Sequence, residues 1–118
     1  MAQYIDGFVI PVPKKSLEKY LKYAAIAAKM WIKHGALEYV ESVGDDVPKG
    51  KLTSFPRSVN LKAGEVVVFS YAVYKSRAHR DRVMGKIMKE ETMMKMWEDL
   101  SFDGMRMIFG GFKTMVKK

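Results

Sequence analysis

Glu65-Val66-Val67-Val68-Phe69-Ser70-Tyr71-Ala72-Val73-Tyr74 runs straight into Lys75-Ser76-Arg77-Ala78-His79-Arg80-Asp81-Arg82-Val83-Met84-Gly85-Lys86-Ile87-Met88. The first ten residues are rich in β-branched and aromatic side chains, the composition of a strand. Val67, Phe69, Tyr71 and Val73 fall on one face, and Val66, Val68, Ala72 and Tyr74 on the other. A strand apolar on both faces is covered on both sides. Ser76 is a good N-cap for the helix that follows, which is expected to reach about Lys89. Val83, Met84, Ile87 and Met88 give that helix its inner face.

The opening of this helix is unusually basic. Arg77, His79, Arg80 and Arg82 crowd it, with only Asp81 against them. The positive end of a helix dipole disfavours cations by a few tenths of a kcal/mol each. Solvated arginines tolerate that cost. Arginine is also the residue best suited to carboxylates and phosphates, which raises the alternative of an anion site. Arg80, supported by Arg77 and His79, is the candidate centre. Asp45, Asp46 and Arg57, from a long connection, complete the set of candidate ligand-binding residues, so the cluster either binds a small anionic ligand or is braced by the loop acids Asp45 and Asp46.

Working outward, residues 4–12 read as a first strand ended by Pro11 and Pro13, with Asp6 and Gly7 unusual inside it. Ser16 and Glu18 open a helix in which Leu17, Tyr20, Leu21, Ala24, Ala28, Trp31 and Ile32 recur at helical spacing. His34-Gly35 closes it. Residues 36–43 are a more polar strand, suited to a sheet edge. Residues 44–64 are too long for a plain hairpin, so the segment is expected to be ordered and packed on the sheet through Leu52, Phe55, Val59 and Leu61. Phe55, preceding Pro56, is biased towards an extended conformation. A short helix over 91–100 carries Met93, Met94, Met96 and Trp97, most simply as adaptable core. Phe102-Asp103-Gly104 reads as a turn, and 105–116 as a fourth strand in which Gly110-Gly111 marks a bulge or a close contact.

The order β-α-β, long loop, β-α-(α)-β defines one α+β domain over 1–118: a ferredoxin-like βαββαβ fold with a four-stranded antiparallel sheet. Its helices cover one sheet face. A large exposed apolar face is rare on a soluble monomer, so the other face calls for a second copy, giving a homodimer with dimeric α/β-barrel architecture.

Composition removes several classes of chemistry. There is no cysteine, which excludes disulfides, thiolate metal sites and a cysteine nucleophile and suits a cytoplasmic setting. Two separated histidines make a transition-metal site an unpromising expectation, so neither metal nor cofactor is expected. No glycine-rich phosphate loop and no Gly-x-Ser-x-Gly elbow occurs. The N-terminus lacks a basic segment leading into a long apolar run, so neither a signal peptide nor a membrane segment is expected. The net charge of +8 comes from lysines scattered along the chain, the pattern of a solvated surface rather than of a nucleic-acid face.

Five blocks of residues carry a family resemblance. They are Asp6-Gly7-Phe8-Val9 with Pro11-Val12-Pro13; Trp31 with His34-Gly35-Ala36-Leu37-Glu38-Tyr39; Asp45-Asp46-Val47-Pro48 with Gly50-Lys51 and Thr53-Ser54-Phe55-Pro56-Arg57; Val67-Val68-Phe69-Ser70 with Ser76-Arg77-Ala78-His79-Arg80-Asp81; and Phe102-Asp103-Gly104 with Arg106-Met107-Ile108 and Gly110-Gly111-Phe112. Together they resemble the YbaA-like family of uncharacterised bacterial proteins, in the dimeric α/β-barrel superfamily. The resemblance implies the fold and the homodimer, and brings no catalytic residues with it. Three classes of function then stand side by side. One is a dimer binding a small anionic or aromatic molecule, extending to a cofactor-free oxygenase-like enzyme with Arg80, His79 or Tyr71 near its pocket. The second is an RNA-binding protein using the basic surface, although the third strand lacks the Lys/Arg-Gly-aromatic opening of RNA-recognition modules. The third is a structural or regulatory protein with no substrate.

Overall fold

The computed structural model describes residues 2–100 and 104–118. The chain runs through β1 (Tyr4–Pro13), a 3-10 turn (Lys14–Ser16), α1 (Leu17–Lys33), β2 (Glu38–Val43) and α2 (Phe55–Ser58). It continues with β3 (Glu65–Tyr74), α3 (Arg77–Ile87), α4 (Glu91–Asp99), a second 3-10 turn (Gly104–Arg106) and β4 (Ile108–Lys113). All strand pairs are antiparallel, in the order β2-β3-β1-β4. This is the ferredoxin-like arrangement, with the two most apolar strands in the middle and polar β2 at an edge.

Strand alternation divides the molecule into two faces. Val66, Val68, Ser70, Ala72 and Tyr74 of β3 point towards the helices, and Val67, Phe69, Tyr71 and Val73 point away. On the helix side Trp31, Ala72, Tyr74, Val83, Ile87 and Met93 pack as one cluster, and Ile10, Val12, Tyr20, Ala24 and Val68 as a second. Complete burial of a side chain such as Ile87 or Val12 is worth about 1.5–3 kcal/mol. Inside the first cluster Trp31 Nε1 donates to the Tyr74 hydroxyl at 3.0 Å.

The far face is partly roofed by residues 44–64. Val59 is 1% exposed and packs on Val9 and Val67, with Leu61 against them. Phe55 meets Phe69 edge-on at 6.0 Å between centroids. Leu52, expected to pack down, instead points into solvent. Arg57 fastens the segment, with Nε donating to the Lys49 carbonyl at 2.9 Å and Nη2 to that of Gly50 at 3.1 Å. Gly50 sits at φ +66°, and a Cβ there would lie 2.6 Å from the Thr53 carbonyl oxygen, so no other residue makes this turn without strain.

Local expectations differ from the structure at several places. Phe55 is not extended but begins α2. Ser54 caps that helix by accepting from the Arg57 N–H, and Pro56 falls in the first turn, where a missing N–H costs nothing. Ser16 occupies the cap position of α1 without a side-chain bond, because the preceding 3-10 turn already leads the chain into the helix. β4 is shorter than 105–116, and it holds an unbroken register from Tyr4↔Lys113 to Val9↔Ile108. Gly110-Gly111 is therefore no bulge. Gly111 is a close-contact point, since a Cβ on it would fall 2.4 Å from the Tyr4 hydroxyl. Phe102 and Asp103 of the expected turn lie outside the described residues.

Candidate functional site

The register lays two rows of side chains across the helix-facing side of the sheet. One is Glu41, Ser70, Phe8 and Phe109, and the next is Tyr39, Ala72, Asp6 and Gly111. The middle of this floor is low, because Ser70 and Ala72 are small. The helix above it is low as well, because Ala24 and Ala27 of α1 face down. Larger groups stand around the gap: Tyr20, Tyr23 and Trp31 from α1, Met84 and Met88 from α3, and Met93, Met96 and Trp97 from α4. The result is an open cavity of about 910 Å³, lined mainly by aromatic rings and thioethers.

Carboxylates stand at two places in it. Glu41 lies between two phenols: Tyr20 donates to Oε1 at 2.7 Å and Tyr39 to Oε2 at 2.6 Å. Burial raises the Glu41 carboxyl above its ordinary range, and the two phenolic bonds offset part of that rise. Burial, followed by the neighbouring Glu41 charge, pushes both tyrosines well above the ordinary phenol value. The phenols thus remain donors at any physiological pH. A carboxylate accepts about four bonds, so each Glu41 oxygen keeps room for another donor.

The second acid, Asp6, is 6% exposed. Arg80 Nη1 donates to its Oδ1 at 2.6 Å, and Arg80 Nε donates to Asp81 Oδ1 at 2.8 Å. The guanidinium also lies over the Tyr4 ring at 4.9 Å. The Asp6 charge lies close enough to the Tyr74 hydroxyl to add to the rise that burial imposes on it. The Trp31 indole thus donates to Tyr74, which stands beside Asp6, and Arg80 closes over the acid.

The residues singled out in the sequence do not assemble into one site. Arg77, His79 and Arg80 share the first turns of α3. Asp45, Asp46 and Arg57 belong to the connection leaving the far end of β2. Gly44 pairs with Val67, while α3 begins after Tyr74, so the two groups are separated by most of the length of β3, roughly 25 Å at strand rise. Arg80 finds its acid on β1, not on the loop. His79 is held at Nδ1, which accepts from the Lys75 N–H at 2.9 Å, and its Nε2 lies beside Gly35. Burial, then the charges of Arg82 and Lys75, hold it below the ordinary histidine value, so it is a neutral staple at pH 7. Arg77 is exposed beside a shallow depression shared with Ser76, Tyr4 and Lys113. His34 braces the end of α1 through Nε2 to Glu90 Oε2 at 3.1 Å.

Glu41, Tyr20, Tyr39 and Asp6 were not named as site residues from sequence. One signal was present. Tyr39 and Glu41 share a strand face, and that face is the one turned towards the helices. Among the described residues no group of three or more histidine, aspartate or glutamate side chains is arranged to hold a metal ion. Nor is any described helix long and apolar enough to cross a membrane.

Known proteins share both the sequence and the architecture. The chain is 41% identical over 114 residues to the uncharacterized protein YbaA of Escherichia coli strain K12, covering 97% of each. The uncharacterized protein YbaA of Shigella flexneri matches to the same extent. Among solved structures, a dimeric ferredoxin-like protein from an uncultured marine organism superposes with a TM-score of 0.66 over 100% of both chains, at 10% identity, a likeness of fold. The family described as "Protein of unknown function (DUF1428)" matches residues 3–104, and the chain belongs to that family.

Proposed function

We propose that the protein is a homodimer that binds a compact, largely apolar aromatic molecule in the helix-side cleft of each protomer. The observation that carries this reading is the cavity of about 910 Å³, walled by aromatic rings and methionines, with a clamped carboxylate on its floor. Binding sites for small molecules are commonly concave and apolar with a few placed polar groups. Methionine thioethers adapt to the shape of an aromatic guest. Both tryptophans of the chain, Trp31 and Trp97, line the cleft, so intrinsic emission reports directly on its contents. Titration with simple mono- and bicyclic aromatics is expected to change that emission saturably, and Ala24→Phe, which fills the cleft, is expected to remove the response. An unsaturable response, or the same response in the filled variant, would overturn the reading.

The dimer rests on the other face. Phe69 is 43% exposed, Phe112 63% and Ile108 44%, and together they form an apolar patch that the 44–64 segment leaves uncovered. A second copy meeting it sheet to sheet satisfies the patch at both protomers through one two-fold axis. The structural neighbour, itself a dimeric ferredoxin-like protein, supports this arrangement. Size exclusion with light scattering is expected to give twice the chain mass of 13.5 kDa, and Phe69→Glu or Phe112→Glu to give the single mass. A wild-type monomer at micromolar concentration would sink the idea.

A further inference from the structure

Glu41 and Ser70 stand directly opposite each other in the β2–β3 register, both turned into the cleft. Directly opposed residues on one face of an antiparallel pair hold their Cβ atoms about 5 Å apart. Ser70 is only 2% exposed and lines the cleft, where its hydroxyl can donate to a guest. Glu41 is the complementary case. Its two oxygens already accept from Tyr20 and Tyr39, and each retains an acceptor position. The floor of an otherwise apolar cleft thus offers one acceptor and one donor side by side.

We infer that Glu41 and Ser70 form a recognition subsite for a neutral hydroxyl carried on an aromatic ring, a phenol or an enol. The ligand O–H donates to the Glu41 carboxylate, and the Ser70 hydroxyl donates to the ligand oxygen. The ring lies over Phe8 and under the small side chains of Ala24 and Ala27. An ether lacks the proton that Glu41 accepts. A carboxylate ligand is repelled by Glu41, and Arg80 is already engaged by Asp6 and Asp81. This subsite rests on the cleft being a binding site, and gives it a substrate class.

The charged and titratable groups around Glu41 are few. Tyr20 faces it from α1 and Tyr39 from its own strand, both as permanent donors, while β3 presents the neutral Ser70. Asp6, Arg80 and Asp81 belong to the other part of the cleft. The pH dependence of phenol binding therefore follows Glu41. It strengthens as pH rises through the elevated Glu41 titration, because only the ionised carboxylate accepts fully.

The test compares para-tert-butylphenol, para-tert-butylanisole and para-tert-butylbenzoate by calorimetry on the full chain. The phenol is expected to bind about tenfold or more tighter than either analogue near neutral pH, the range of a hydrogen bond to a charged group. Glu41→Gln is expected to erase most of that preference, and Ser70→Ala to weaken the phenol and the anisole alike, because its hydroxyl donates to either oxygen. Glu41→Gln is also expected to flatten the pH dependence. Melting curves of both variants establish that the fold is intact, and Ser70→Ala, which removes one oxygen, keeps the test valid if Glu41→Gln fails to fold. Equal binding of phenol and anisole overturns this subsite and leaves the cleft reading standing. Tightest binding by the benzoate overturns it in favour of the Arg80 region. Saturable binding by none of the three overturns the cleft reading and the subsite together.

Discussion

Arg80→Ala is expected to lower the unfolding free energy by about 3 kcal/mol, the usual scale for leaving one member of a buried ion pair without its partner. Asp6 lies inside the sheet, and its side chain is 8% exposed against 20% for Arg80. Removal of the guanidinium leaves the Asp6 carboxylate in the sheet without its cation. It also removes the cation from above the Tyr4 ring. Two alternatives separate here. If the basic start of α3 were only solvated surface, the loss would be no more than about 0.5 kcal/mol. If it were an anion site, inorganic phosphate would bind the wild type and not the variant, with little change in stability. The brace formed by Asp6 predicts the opposite on both counts. Asp6→Asn in the Arg80→Ala background is expected to recover a good part of the loss, because the stranded charge is then gone. Denaturant titrations of the four proteins form the cycle that decides it.

Glu65→Gln is expected to cost about 3 kcal/mol as well, and to change the shape of the stability–pH curve. Arg106 grips Glu65 with two parallel bonds, Nη1 to Oε1 at 2.8 Å and Nη2 to Oε2, while Nη1 also donates to the Asn60 carbonyl at 3.0 Å. The pair is largely buried, with side chains 13% and 9% exposed for Arg106 and Glu65. It ties the start of β3 to the turn before β4 and to the end of the long connection that buries Val59. The Arg106 bonds, with help from the Lys62 N–H, hold the Glu65 carboxyl below its ordinary value of 4.5. A depressed carboxylate contributes stability that is fully present above the ordinary value and is lost as pH falls through the folded one. The wild type is thus expected to lose stability on the acid side more steeply than Glu65→Gln. Acid limbs that run parallel in the two proteins would remove Glu65 from the account.

Glu41 works in the opposite sense. Its carboxyl is raised by burial, so the folded state binds a proton that the unfolded state has released. Stability from this group is greatest below the ordinary value and falls as pH rises through the elevated one.

Much of the cleft could be read in part from the chain. The helical spacing of Tyr20, Ala24 and Trp31 gave the inner stripe of α1, and the methionines around Met93 gave an adaptable wall. Asp6 stood out as an acid within an apolar strand, yet Arg80 was matched with Asp45 and Asp46, although its acid lies 74 residues away on β1. Asp45 and Asp46 sit beside the strand that precedes β3, which makes them close in the chain and distant in space. Glu41 looked like one more polar residue on an edge strand. Its importance depends on Tyr20 arriving from another element, which pattern along one segment does not record.

The sequence by itself determined the four strands, the three longer helices, their order and the two-faced central strand, because side-chain periodicity and backbone preference are local properties carried by each segment. It also determined that one sheet face would need cover beyond the two helices. Only the tertiary structure decided which acid meets Arg80, that Arg106 clamps Glu65, and that Glu41 and Ser70 share a floor beneath small residues. Those facts come from strand register and from the crossing of α1, α3 and α4 over the sheet. A charge or a gap acquires its chemical meaning from groups distant in the chain, and only packing brings these within hydrogen-bond distance.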